Sequence, residues 1–538
     1  MMKHLLLLIL MLLTFKVSAQ GSYQSSDVLK TNLPIVLIDV NEQLTNTEKR
    51  PAHMRVIYSE GKRQYSSDDK TYEYDGAIGI KLRGNSSLSF PQKKYTLETR
   101  DDKGEAMDVS LMGMPSEHDW VLLAPYTDVS MLRDAFAFQL WNDMGHWAPR
   151  VRMCEVIVNG KYAGIYALSE SIKRGEHRVN VNKLKKTDTE GRDITGGYLL
   201  RIDTYNEKDA TFTSEMPGIG QGLFMNTITW TCLYPKKKNL QAEQMDYISG
   251  FIRDMERTFQ SDNYADPTDG YARYIDVESF VDYFIHTELS LNADAYKRSA
   301  YFYKTKQKAD GTGGLLHAGP VWDYNLAYGC CNFCNADDIN AWAFEGCNTN
   351  PTPMMWRRLY EDPTFRNKVC KRYSQLRKTT LSTKHLYSII DQYAEQLKSA
   401  QQRHFALYPE LLGEETKRNP ANGNMMQGGF GGFGAFGGFP TPPESFPQGG
   451  WFGGFPAFGP TTGFPGMGNM PQMDGNMPQM NGNFPSTNSN MFPQMDTNMG
   501  AMMLSWFRSY TVKSYSDEIK MLKQWLSDRL KVLDEKLK

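Results

Sequence analysis

The sequence predicts an α+β protein, β-rich in its first part and mainly helical in its second, with a low-complexity stretch set inside the helical part. Three observations lead there. Between residues 34 and 100, short runs rich in β-branched residues alternate in part and are cut by turns. From residue 241 onward, apolar residues recur at helical spacing, and from 418 to 503 both periods vanish. At 538 residues, 40% hydrophobic and 12% aromatic, the chain can bury a sizeable core and divide into two or three domain-sized units. Its formal net charge of −1 gives no general electrostatic reason to bind nucleic acid or an anionic membrane.

Residues 1–19, MMKHLLLLILMLLTFKVSA, read as a signal peptide: a basic start at Lys3 and His4, an apolar run through Leu13, and a small-residue end that suits cleavage before Gln20. The apolar run is short for a membrane span, and no later stretch approaches the ~20 apolar residues that a span needs. The mature chain is therefore expected outside the cytoplasm, in the periplasm, at the cell surface or in the medium, with no stable membrane span.

The β-rich part covers 20–190. Its strands are PIVLIDV, HMRVIYSE, YDGAIGIKLRG and KKYTLET, followed by an amphipathic helix over 127–145 with Asp128 or Ser130 as N-cap and Gly145 at its end. RMCEVIVNG and GIYALSES then form a hairpin through Asn159-Gly160. The mainly helical part covers 191–417. It opens with the strand GGYLLRID, continues through helices at QAEQMDYISGFIRDMERTF and VESFVDYFIHTELSLN, and includes a strand pair made by SAYFYK and GPVWDYNLAYG before helical patterns return at 354–412. Residues 418–503 repeat Gly, Phe, Pro, Met, Asn and Gln almost without charge, a composition expected to be disordered. Within 504–538, Ile519, Leu522, Trp525, Leu526, Leu530 and Leu533 make a helical stripe that should pack back onto the helical part.

Seven cysteines leave at least one free thiol in an oxidising compartment. In CCNFC (330–334), Cys331 and Cys334 have C-x-x-C spacing, but with no second pair and no nearby histidines local disulfides are favoured over metal.

Four stretches could carry chemistry. KLRGNSSLSFPQKKYTLE (81–98) sets Arg83, Lys93 and Lys94 around a turn whose amides could cradle phosphate, or is simply a solvated basic hairpin. Asp294, between a helix and a strand, sits where a carboxylate can reach a substrate hydroxyl, or caps a turn. Glu170 ends a strand. Asp323 and Asn325, two apart in a stretch read as extended, would point their oxygens to one place. The order is what matters: strand lysine, helix, hairpin, loop aspartate, strand, then an Asp-aromatic-Asn pair ahead of a glycine, which is the order of parts in protein kinases.

RGNSS with PQKKY, LRDAFAFQL, GKYAGIYALSE, NADAY, GPVWDYNLAYG and the closing EIKMLKQWLSDRLKVLDEKL together resemble the spore-coat protein H (CotH) kinase family. The resemblance implies an atypical protein-kinase-like two-lobe fold, with a β-rich N-lobe and a helical C-lobe. It also implies Mg²⁺- or Mn²⁺-dependent transfer of the ATP γ-phosphate to Ser or Thr of an exported or surface protein. Lys93 looks like the phosphate-binding lysine, with Lys94 as the fallback if the register slips by one. Arg83 and Glu170 support the phosphate side, Asp294 looks like the catalytic-loop aspartate, and Asp323 looks like the metal ligand. Where kinase catalytic loops carry asparagine five residues after the aspartate, this chain has Ser299, a weaker oxygen ligand for the metal, and Asn325 is assigned the missing oxygen. Because an exported chain meets little ATP, the rival reading is a catalytically weak, kinase-derived structural or binding protein of the surface or matrix.

Overall fold

The structure, a computed structural model, describes residues 28–220, 227–347, 351–413, 508 and 510–538. All of them fall within one compact unit. The leader read at 1–19 and the low-complexity stretch read at 418–503 lie outside the described residues.

Seven strands close a barrel: β1 (Ile35–Asp39), β2 (Arg50–Ile57), β3 (Tyr74–Arg83), β4 (Lys94–Thr99), β5 (Asp119–Leu123), β6 (Val151–Val158) and β7 (Lys161–Glu170). Their order around it is β6-β7-β5-β4-β3-β2-β1, and closure comes from a parallel pairing of β1 with β6. Side-chain alternation explains the sequence. Trp120, Leu122, Tyr166 and Leu168 point into the barrel, whereas their neighbours Val121, Leu123, Ile165 and Ala167 join a second core outside it. Both faces of β5 and β7 are thus buried, which is why DWVLL and GIYAL read as nearly unbroken apolar runs.

The second core is shared by helix α1 (Arg133–Asp143), a five-stranded sheet and seven further helices. That sheet runs β9-β10-β8-β11-β12, from β8 (Tyr198–Ile202), β9 (Ala210–Thr213), β10 (Thr229–Tyr234), β11 (Ala300–Lys304) and β12 (Leu316–Ala318). The helices are α2 (Ala242–Gln260), α3 (Val277–Ser290), α4 (Met355–Glu361), α5 (Pro363–Arg377), α6 (Thr383–Leu397), α7 (Ala400–Leu407) and α8 (Tyr515–Lys536). None of the helices among the described residues is long and apolar enough to cross a membrane.

Three local expectations are corrected. Helix α1 starts at Arg133, because the Asp128 carboxylate accepts the amides of both Ser130 (3.0 Å) and Arg133 (2.9 Å) and so organises a turn ahead of the helix. The strand pair ends at Ala318, so 319–325 do not continue it. β5, β9 and β10 add strands where none was expected: β5 pairs with β4 and β7, and β10 sets Thr231 against Thr211 and Cys232 against Leu200. Cys334 and Cys347 form a disulfide. Cys154, Cys232, Cys330 and Cys331 are buried thiols; Cys331 donates to the Leu326 carbonyl (3.3 Å) rather than joining Cys334 in a metal pair.

Helix α7 docks on the barrel through His404, fully buried, whose Nδ1 accepts the Ile165 amide at 3.1 Å. Gly164 makes room with φ +99°, since a Cβ there would lie 2.8 Å from that nitrogen. Accepting at Nδ1 requires the neutral ring, and burial holds its pKa down to about 3. An unfolded histidine takes its proton near pH 6.5, whereas the folded one resists it, so the stability present above that pH is lost as pH falls toward the folded value. Urea midpoints measured at pH 7, 6 and 5 are expected to fall steadily, and His404→Leu should flatten that slope even though it lowers the midpoint at pH 7.

Candidate active site

α3 is buried along Ser279–Ser290, a helix surrounded on all sides, with Asp276 capping it by accepting the Ser279 amide at 2.9 Å. Leu291 ends it in a left-handed turn (φ 42°) that swings the chain into the loop 292–298. Asn292 then ties two segments together. Its Oδ1 accepts the Asp294 amide (3.2 Å), and its Nδ2 donates to the Asp323 carbonyl (3.1 Å).

Residues 319–325 are not the extended ladder expected from the sequence. Asp323 takes a left-handed conformation, φ 64°, so it and Asn325 do not share a strand face. Asn325 turns away, its Nδ2 donating to Thr127 Oγ1 at 2.7 Å. The segment is pinned instead to α1: the Tyr324 amide donates to Asp134 (2.6 Å), and the Arg133 Nε donates to the Ala327 carbonyl (3.0 Å).

From the barrel side, Lys94 reaches Asp323. Its Nζ lies 3.4 Å from Oδ1, with the two side chains 12% and 33% exposed, so the pair is shielded yet open to solvent on the aspartate side. Strand alternation decides between the two lysines. Tyr95, Leu97 and Thr99 are buried, so Lys94 leaves on the opposite face. Lys93 bends back into the preceding turn and donates to the Leu88 carbonyl at 2.7 Å; burial lowers its pKa. Arg83, opposite Lys94 in register, lays its guanidinium over the Trp322 ring at 5.1 Å.

Glu170 lies elsewhere. Tyr95 faces Leu122 and Leu122 faces Leu168, so Lys94 is level with Ala167, two strands over, and Glu170 sits three residues further along, about 10 Å along the strands and about 10 Å across them. Arg150 encloses it, donating from Nε (2.9 Å) and Nη2 (2.6 Å). Ser299 is buried, in a left-handed conformation (φ 46°) just ahead of β11.

The carboxylates that gather here include two the sequence did not single out. Asp294 has its pKa raised by burial first and then by Asp323 and Asp203, against the pull of Arg298 and Lys297. Asp203, just past β8, is raised by burial and by Asp323, against Arg201. Asp134 is raised to about 7, by burial first, with Lys94 opposing and Asp323 adding to the rise. These carboxylates offer oxygen donors of the kind a hard divalent cation prefers, although among the described residues no three of them bring ligand atoms within 4.8 Å of one another. On that chemistry Asp323 and Asp294 or Asp203 fit Mg²⁺, whereas Asn325 points away from them. Asp134 was illegible because an acid in a helix's first turn usually serves the helix dipole. Asp203 was only the last residue of the strand read at GGYLLRID.

A family model described as CotH kinase protein matches residues 80–424, more than half of the chain, and the chain belongs to that family. Among curated proteins, inner spore coat protein H of Bacillus subtilis (strain 168) is 23% identical over 252 residues, 47% of this chain. The chain covers 59% of that relative's length.

The two lysines are separable by experiment. Lys94→Met is expected to weaken binding of an adenine nucleotide in the presence of Mg²⁺ by about tenfold, the loss of one charge-assisted contact, whereas Lys93→Met should leave the calorimetric affinity unchanged.

Proposed function

We propose that this chain is a Mg²⁺- or Mn²⁺-dependent protein kinase acting on Ser or Thr of exported or surface proteins, with ATP as the donor. The observation that carries the reading is the Lys94–Asp323 pair held beside Asp294, inside the region that matches a kinase family. In this reading residues 20–190 and 191–417 act as the two lobes, and Lys94, not Lys93, faces the phosphates.

The acceptor hydroxyl oxygen attacks the γ-phosphorus, the bond from that phosphorus to the β–γ bridging oxygen breaks, and ADP leaves. The hydroxyl proton passes to Asp294, whose pKa, raised first by burial, makes it a stronger base than an ordinary aspartate. Lys94 and Arg83 neutralise phosphate oxygens, and Asn292, by holding both the Asp294 amide and the Asp323 carbonyl, fixes the distance between base and metal ligand. A divalent ion held by Asp323 would offset charge on the β- and γ-phosphates. The leader-like start and a relative named for a spore coat support a place outside the cytoplasm.

The second reading, a kinase-derived binding protein of the surface or matrix, draws support from Ser299 in place of asparagine and from the turned-away Asn325. Label transfer separates the two. Purified chain with γ-labelled ATP and Mg²⁺ or Mn²⁺ should phosphorylate itself or a casein-like acceptor, and Asp294→Asn and Asp323→Asn should each lower the rate by about a hundredfold or more. Absence of both transfer and metal-dependent nucleotide binding would favour the binding protein.

A further inference from the structure

Lys81 and Arg83 lie two apart on β3, so their side chains leave the same outward face, and Arg83 stands opposite Lys94 on β4. Two like charges directly across a strand pair are unfavourable. Lys94 is offset by Asp323, but neither Arg83 nor Lys81 has a carboxylate within ion-pair distance among the described residues. Arg83 rests on Trp322, and Lys81 donates to the Asn46 carbonyl at 3.3 Å.

A fourth cation comes from the other sheet. Lys208, exposed in the loop between β8 and β9, also makes no ion pair among the described residues. Lys81 feels it: burial first, then Lys49, Arg83 and Lys208, lower its pKa. Neighbouring cations are treated differently. Lys49 is held by Glu98 and Asp119, and Lys173 by Glu117 (2.8 Å) and Asp119 (2.9 Å). The barrel thus pairs its other outward lysines there and leaves a strip from Arg83 through Lys81 to Lys208 uncompensated, beginning beside Asp323.

The fold gains nothing from grouping unpaired cations, so an external anion is the natural complement. The inference rests on the kinase reading, in which Arg83 and Lys94 serve the donor phosphates; the anion facing Lys81 and Lys208 then belongs to the other substrate. We propose that Lys81 and Lys208 dock the acceptor polypeptide, and that this acceptor carries Asp or Glu close in sequence to the hydroxyl that is phosphorylated.

The test uses the full chain and three labelled peptides with one serine each, flanked by acidic, neutral or basic residues, with binding read by fluorescence anisotropy without nucleotide at low and high salt. The acidic peptide is expected to bind about tenfold tighter than the neutral one at low salt, with the margin shrinking as salt rises. Lys81→Glu with Lys208→Glu should abolish the margin and leave calorimetric ATP affinity unchanged. Equal affinity for all three peptides, or a margin that survives the double reversal, would overturn the proposal. So would tighter binding of a single-stranded oligonucleotide of matched charge, which would make the strip a general polyanion surface. Because binding is read without turnover, the two readings fail separately. An acidic peptide that binds through Lys81 and Lys208 but accepts no label overturns the kinase reading and keeps the docking surface; label transfer with no charge preference does the reverse.

Discussion

A single buried guanidinium governs how the site is assembled. Arg133 is fully shielded from solvent, and at that depth its charge is tolerable only if every donor finds an acceptor. Asp128, Glu518 (2.7 Å), the Tyr510 hydroxyl (3.1 Å), Ser130 (3.0 Å) and the Ala327 carbonyl (3.0 Å) supply them. These partners come from the turn before α1, from the C-terminal segment with α8, and from the loop that follows Asp323. Removing the charge would release three segments from one another; keeping it fixes their mutual positions. The next residue, Asp134, then captures the Tyr324 amide, so the first turn of a helix sets the backbone on which Asp323 stands.

With the segment held, its backbone can adopt conformations that an unsupported chain avoids. Leu291, Tyr296, Ser299 and Asp323 all have positive φ without being glycine. Such residues persist where surrounding contacts over-determine them, and they concentrate at working sites. Here they flank the carboxylates that press upon one another electrostatically, so conformational strain and unbalanced charge fall in the same few residues. Lys94 relieves part of the charge from the barrel side.

Much of the fold could be read from period alone. PIVLIDV, YDGAIGIKLRG, KKYTLET and the Asn159-Gly160 hairpin announce themselves through alternation and turn chemistry, and α2 and α8 through stripes at helical spacing. The β9 and β10 strands did not, because ATFT and TWTCLY are short and rich in threonine, a signal that turns share. The site was legible as residue types in order but not as directions. An aspartate followed two residues later by asparagine looks like a shared face only if the chain is extended, and Asn325 shows that one left-handed residue cancels that inference. Which of Lys93 and Lys94 reaches Asp323 depended on which of two adjacent side chains the pleat turns inward, and Tyr95 and Leu97 enter the barrel. Asp134 and Asp203 needed tertiary contacts to be seen at all.

The reliance of Arg133 on Glu518, 385 residues away, has a meaning in time as well as in space. A chain is made from its N-terminus, so for most of its synthesis the buried arginine lacks one of its acids. Glu288, at the end of the helix leading to Asp294, likewise waits for Arg529, whose guanidinium grips its backbone carbonyl. The segment bearing the aspartates thus gains its full support only when the last helix has emerged and docked. Assembly of the candidate site in this way waits on a segment made long after the residues it supports.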